Sequence, residues 1–283
     1  MTTTLAPQDE ASAAAAPVDS AIAGSRVVDS PGREIVRDIA RGGLTGVIVG
    51  AVAVGLGGRL VMRLSTILQP SATGGITDNG NRIGDITLGG TVSLVSVGMF
   101  IGAMAGIVWV IATPWLPARG WRRAVVVVPL AMAAGTVGLI EGNTGDFIQL
   151  RHDPKIVALL IALVGFVGLA FSLIDDRLER RLPHASARPR ATTAYSLVIA
   201  IGAILVFPIT LASYFGSTRA GVGLIGVALV VVGLATATWW LMRLQGRGDP
   251  PLALVVVGRT ALVVAAIAGI AAGLPGISGA LGR

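Results

Sequence analysis

Long apolar runs without a charged residue dominate the pattern of this sequence. Five of them cover residues 86–118, 124–140, 156–174, 191–218 and 220–242. A hydrocarbon core of ~30 Å takes about 20 helical residues at a rise of roughly 1.5 Å each, so runs of this length are typical of membrane-spanning helices. The pattern therefore predicts an all-α polytopic membrane protein, a bundle of about seven transmembrane helices.

The chain divides into a short polar segment and this bundle. Residues 1–27 are rich in Ala, Thr, Ser and Pro and predict a disordered cytoplasmic tail, which leaves 28–283 for the bundle. The seven predicted spans are 42–64, 91–113, 124–140, 156–174, 194–215, 221–242 and 252–273. Arg259 interrupts the seventh, so the last span begins either near Leu252 or at Thr260, from where it would run toward Leu281.

The longest outside connection joins the first two spans, over residues 69–90. Its centre places Asn79-Gly80 between two short β-capable runs. A tight hairpin turn needs residues that tolerate positive φ, as Asn and Gly do. The sequence therefore predicts a small external β-hairpin or ordered loop at 76–83.

Two charged segments adjoin the spans on the side of the membrane opposite to this loop. Residues 33–41 alternate basic and acidic side chains and predict a short interfacial helix at the lipid headgroups. Residues 175–190 are also highly charged, end in turns flanked by proline, and predict a solvated connector.

Composition excludes a water-soluble globule. The chain is 53% hydrophobic and 13% charged with a mean hydropathy of +0.79, against about 25% charged residues in soluble domains. The absence of cysteine excludes disulfides, thiolate metal sites and cysteine nucleophiles. His152 and His184 fall on opposite predicted sides of the membrane, so the sequence indicates no metal site and no cofactor.

Basic residues are distributed unevenly among the predicted loops. With a cytoplasmic N-terminus, 14 of the 22 basic residues lie inside, 5 outside and 3 in or beside spans. Cytoplasmic loops collect Lys and Arg, so the chain is predicted to have its N-terminus inside and its C-terminus outside a bacterial plasma membrane. The net charge of +7 follows from this topology and does not indicate nucleic-acid binding. All five tryptophans fall toward the predicted cytoplasmic boundary: Trp109, Trp115, Trp121, Trp239 and Trp240.

Glycines recur at four-residue spacing in three predicted spans. This spacing places small residues along one helix face, where two backbones can approach closely. The set comprises Gly46, Gly50, Gly98, Gly102, Gly106, Gly269 and Gly273. The pattern favours packing within the bundle, and a face for self-association is the alternative.

Charges at membrane depth provide the candidate site. Arg59 and Arg63 share one face near the outer end of the first span, and Glu141 and Asp146 lie in a predicted outside stretch. These four residues form either a polar binding site that faces outside or a structural ion-pair cluster with snorkelling arginines. Arg259 is the remaining intramembrane charge, with Asp175 or Asp176 as its predicted partner or with its guanidinium snorkelling to the interface.

The segment 57–63, Gly-Gly-Arg-Leu-Val-Met-Arg, is followed at 86–91 by Ile-Thr-Leu-Gly-Gly-Thr. Together they resemble a pattern found in multi-pass integral membrane proteins of actinobacteria to which no function is assigned. The resemblance covers the first two spans and their connecting loop, and it implies a membrane location without implying an activity.

Three classes of function fit the sequence. The first is a non-enzymatic scaffold or accessory subunit of a membrane complex, in contact with the lipid bilayer and either a membrane protein partner or a second copy. The second is a transporter or channel for a small solute, ion or lipid. An intramembrane enzyme ranks third, because no pair of nucleophile and base is visible. A transporter requires a continuous polar path, whereas a scaffold predicts a dry core.

Overall fold

A computed structural model describes residues 31–75, 87–117, 119–141, 153–183, 189–216 and 222–281. Within these ranges the chain is all-helical, with seven long helices and no strand. The predicted hairpin at 76–83 and the predicted tail at 1–27 both lie outside the described residues.

The seven helices follow the seven predicted spans in order. We number them α1 (Pro31–Leu68), α2 (Leu88–Trp115), α3 (Trp121–Glu141), α4 (Pro154–Arg181), α5 (Arg190–Phe215), α6 (Val222–Leu244) and α7 (Leu252–Ala280). Six of them are long and apolar enough to cross a membrane; α3 is helical but is not among these six. The last helix, α7, includes both of the residues predicted as possible starts of the seventh span, Leu252 and Thr260.

One predicted boundary is wrong, and the error concerns a pair of charged residues. The acidic pair Asp175 and Asp176 was assigned to a solvated connector, but α4 continues through both and ends at Arg181. The charged segment 33–41 is helical, as predicted, and forms the first part of α1, which continues from Pro31 to Leu68. Partner carboxylates and arginines from other helices allow these charges to be buried, and a single-sequence pattern does not show such partners.

Both α1 and α5 contain a π-helical segment. In α1 it spans Gly50–Leu56, and the Gly57 N–H bonds the carbonyl of Val52, five residues back. In α5 it spans Gly202–Val206 and ends two residues before Pro208, which has no N–H to continue the α-helical pattern.

The helices run alternately up and down, and the closest packing joins α1 to α2. A Cβ atom added to Gly46 would lie 2.7 Å from the Gly106 Cα, and one added to Gly50 would lie 2.8 Å from the Gly102 Cα. Gly98 meets the same face of α1 at Gly55. The two backbones are therefore in contact along a stripe of glycines within one chain. Gly269 and Gly273 are buried in α7.

The core at mid-height of the bundle is apolar. Val49 and Ala53 of α1 are completely buried and form one cluster with Val127, Ala170 and Phe171. Large apolar side chains cover the outside of the helices, where Ile204 is 72% exposed and Leu234 is 64% exposed. An apolar exterior of this extent is typical of helices that face lipid.

Candidate functional site

The most deeply buried charged side chain is the carboxylate of Asp175, near the C-terminal end of α4. It is 0% exposed. One carboxylate oxygen accepts a hydrogen bond from the Arg41 Nε at 3.0 Å, and the other accepts one from the Arg123 Nη1 at 2.8 Å. Since Arg41 belongs to α1 and Arg123 to α3, this single carboxylate connects three helices.

Asp176 extends this network to the start of α3. Its carboxylate pairs with the Arg123 Nη1 at 3.3 Å and accepts a hydrogen bond from the backbone N–H of Gly120 at 3.1 Å. The first N–H groups of a helix have no partner within the helix and carry a partial positive charge. Asp176 therefore caps α3 from a neighbouring helix.

Arg37 binds backbone carbonyl oxygens at the C-terminal end of α4. Its Nη2 donates to the carbonyl oxygens of Glu179 at 2.8 Å and Leu182 at 3.2 Å. Carbonyls at a helix C-terminus are unpaired and attract cations. The Glu179 carboxylate also pairs with Arg41 at 3.5 Å and with Arg119.

These residues form one electrically balanced group, which we call the arginine–carboxylate cluster. It contains five arginines and five carboxylates: Arg37, Arg41, Arg119, Arg123, Arg243, Glu34, Asp38, Asp175, Asp176 and Glu179. Burying unpaired charges would be very costly, whereas pairing each charge offsets much of that cost.

A cavity of about 160 Å³ opens beside the cluster, between α1, α2 and α6. Its charged lining consists of Asp38, Arg41, Asp175 and Arg243. The rest of the lining includes the indole rings of Trp109, Trp239 and Trp240. Trp109 is 7% exposed, and its Nε1–H has no hydrogen-bond acceptor in the part of the chain that the structure describes.

A second polar contact joins α2, α6 and α7. The Trp115 Nε1–H donates to the Thr236 Oγ1 at 2.9 Å, and the Thr236 hydroxyl donates to the Ile111 carbonyl at 2.7 Å. The Arg259 Nε donates to the Trp115 carbonyl at 3.3 Å. Arg259 thus contacts a backbone oxygen, while its predicted partners Asp175 and Asp176 pair with Arg41 and Arg123.

The four residues of the predicted outer site are only partly described. Arg59 is buried and Arg63 is exposed, both on α1 beyond its π-helical segment. Glu141 ends α3, but its side chain, like the whole of Asp146, lies outside the described part of the chain. An outer polar site therefore stays a prediction.

The arginine–carboxylate cluster is the site that the sequence reasoning missed. Two signals pointed to it. Arg37 and Arg41 are four residues apart on one helix face, and Asp175 and Glu179 repeat that spacing on another. Both pairs also fall at the same predicted end of the bundle.

The arginine–carboxylate cluster and the cavity beside it offer different chemistry. Each oxygen of Asp175 accepts a hydrogen bond from a guanidinium group. No group of three His, Asp or Glu residues among the described residues is placed to hold a metal ion. The cavity, by contrast, offers charges of both signs and three aromatic rings. No family model matches this sequence, and a comparison with curated proteins and solved structures finds none that is similar to it.

Proposed function

We propose that this protein is a multi-pass protein of a bacterial plasma membrane that acts without catalysis, as a scaffold or accessory subunit of a membrane complex. The apolar core between the two ends of α1 is the observation that carries this proposal. Val49 and Ala53 are 0% exposed at mid-height, and their neighbours Val127 and Ala170 are apolar as well.

The length of α1 supports the placement of Val49 and Ala53 at mid-height of the membrane. Arg41 and Arg59 are buried arginines 18 positions apart on α1. At a rise of ~1.5 Å per residue they lie roughly 27 Å apart, close to the thickness of a hydrocarbon core. A solute crossing the bundle along α1 would have to pass the apolar layer between them, where the described residues offer no charged side chain.

The arginine–carboxylate cluster fits the cytoplasmic side. It combines basic residues from α1, α3 and α6 with two tryptophans of α6, as expected of a cytoplasmic interface. In this orientation the N-terminus is cytoplasmic and the C-terminus outside. α3 then also crosses the membrane, because it packs antiparallel to α4: Gly135 contacts Val164, and Gly168 contacts Ala131.

Cysteine accessibility tests the absence of a transport path. The chain has no cysteine, so Ala53→Cys introduces a single thiol into the apolar core. In proteoliposomes we expect Ala53→Cys to stay unreactive toward a hydrophilic thiol reagent added to both sides, while Gln245→Cys, which is exposed, reacts fully. Labelling of Ala53→Cys at a comparable rate would indicate an aqueous path and favour a transporter or channel.

The size of the native assembly tests the scaffold role. We solubilise membranes of the source organism with a mild detergent and separate them on a native gel. We expect the chain to migrate there in a complex larger than the purified protein in the same detergent. Migration at the size of the purified protein would contradict a scaffold or accessory subunit.

A further inference from the structure

We propose that the cavity between α1, α2 and α6 binds the headgroup of a zwitterionic phospholipid that carries a phosphate and a primary ammonium. This inference rests on the membrane placement proposed above and is independent of the scaffold role. It follows from the size of the cavity, its charge balance and the unsatisfied hydrogen-bonding capacity of its lining.

The volume of the cavity suits a phosphoethanolamine headgroup. A cavity of roughly 150 Å³ accommodates a ligand such as benzene. The present cavity measures about 160 Å³. The side chains of Asp38 and Arg243 in its lining are each 31% exposed, so we take them as its open side, or mouth. A phosphoethanolamine group therefore fits with one end inside the cavity and the other in the mouth.

Asp38 and the indole rings provide the site for the ammonium. The Asp38 carboxylate lies 3.4 Å from the Arg41 Nη1 and 3.6 Å from the Arg243 Nη1, and it accepts no hydrogen bond in the described part of the chain. Both distances exceed those of N–H···O hydrogen bonds, so its oxygens can accept from a primary ammonium. Trp239 and Trp240 line the same space, and indole faces attract cations.

Arg243 provides the site for the phosphate. Its guanidinium pairs loosely with Asp38 and makes no hydrogen bond within the described residues, so its N–H donors can bind a phosphate. The adjacent residues Leu241 and Leu244 are 60% and 52% exposed and offer an apolar surface for the acyl chains.

Charge balance favours a zwitterion over an anion. The four charged side chains of the lining are two aspartates and two arginines. An anionic headgroup would therefore have to displace a carboxylate from an arginine. A headgroup with one charge of each sign also separates Asp38 from Arg243, but it gives each of them a partner of opposite charge and leaves the lining neutral.

Lipid titration of the delipidated protein in detergent tests this assignment. We expect short-chain phosphatidylethanolamine to raise the thermal unfolding midpoint in a saturable manner, with at least tenfold tighter binding than phosphatidylglycerol of the same chain length. Soluble phosphoethanolamine at the same concentrations should have no effect. Equal binding of phosphatidylglycerol would overturn the zwitterion assignment, and equal binding of soluble phosphoethanolamine would overturn the lipid assignment.

Matched variants localise the binding. Arg243→Gln and Asp38→Asn should each weaken phosphatidylethanolamine binding about tenfold, the loss of one charge-assisted hydrogen bond. Arg247→Gln and Asp249→Asn change the same charges at exposed positions outside the cavity and should bind like wild type. Trp240→Leu removes an aromatic face without touching a charge and should also weaken binding. Unchanged affinity in both Arg243→Gln and Trp240→Leu would show that the lipid binds elsewhere. This conclusion does not depend on the labelling of Ala53→Cys, which tests the proposed function.

Discussion

The Arg41 Nε donates a hydrogen bond to the Asp175 Oδ1 at 3.0 Å, across 134 positions of the sequence. The second oxygen of the same carboxylate accepts from Arg123. This carboxylate joins α1, α3 and α4 at one end of the bundle, where all three residues are buried. Loss of Asp175 therefore affects three helices at once.

Asp175→Asn should destabilise the protein severely. The substitution keeps the shape of the side chain but leaves two buried guanidinium groups without their shared counter-charge. Breaking a buried ion pair from one side costs about 3 to 5 kcal/mol. We expect a clear drop in the thermal unfolding midpoint in detergent. Asp249→Asn, at an exposed position, is the control, and equal midpoints for the two variants would contradict the structural role of Asp175.

Gly50→Ala should disturb the contact between α1 and α2. The added Cβ would lie 2.8 Å from the Gly102 Cα and 2.9 Å from the Gly98 carbonyl carbon, and backbone atoms cannot rotate out of the way. Overpacking of this kind costs roughly 1 to 3 kcal/mol. Gly223→Ala places the same methyl group in open space near the start of α6. Chemical unfolding should show a lower midpoint for Gly50→Ala and no loss for Gly223→Ala.

Thr236→Val should weaken the junction of α2 and α6. Valine has nearly the same shape, but it leaves the Trp115 indole N–H without its acceptor and the Ile111 carbonyl without this donor. Hydrogen bonds between membrane helices contribute about 0.6 kcal/mol on average and up to roughly 1.7 kcal/mol. Thr238→Val removes a hydroxyl that bonds only within its own helix. A difference in unfolding free energy between the two variants measures the interhelical contribution, and equal values would show that it is negligible.

Single cysteines at Ser71 and Gln245 test the proposed orientation. Both positions are exposed, one after the end of α1 and the other after the end of α6. In intact cells, an impermeant thiol reagent should label Ser71→Cys and leave Gln245→Cys unlabelled until the membrane is opened. Labelling of Gln245→Cys alone would invert the proposed topology, and labelling of both from outside would contradict the alternation of the helices.

The number and order of the helices could be predicted from the sequence because each apolar run is a local signal. A span needs only length and the absence of charge, as residues 220–242 show. The glycine spacing on α1 and α2 was also visible as a pattern, although choosing between an internal and an external partner required the contact of Gly46 with Gly106.

The arginine–carboxylate cluster could not be predicted in the same way, because its charges belong to segments that look polar when they are read alone. Asp175 and Asp176 follow an apolar run and therefore resemble the beginning of a loop. Their burial depends on Arg41, more than 130 positions earlier, and on Arg123. A single sequence records which residues are charged but not which of them meet.

The separation of Arg41 and Asp175 in sequence also sets an order of events during synthesis. At about 5 to 20 residues per second, the ribosome adds the 134 intervening residues in roughly 7 to 27 s. Throughout that interval α1 exists without Asp175, and in the proposed orientation Arg41 is one of the positive charges that favour a cytoplasmic N-terminus. Once α4 emerges, the same guanidinium becomes a buried link between helices. In the proposed orientation, one side chain thus first helps to orient the nascent chain and later links the helices of the finished bundle.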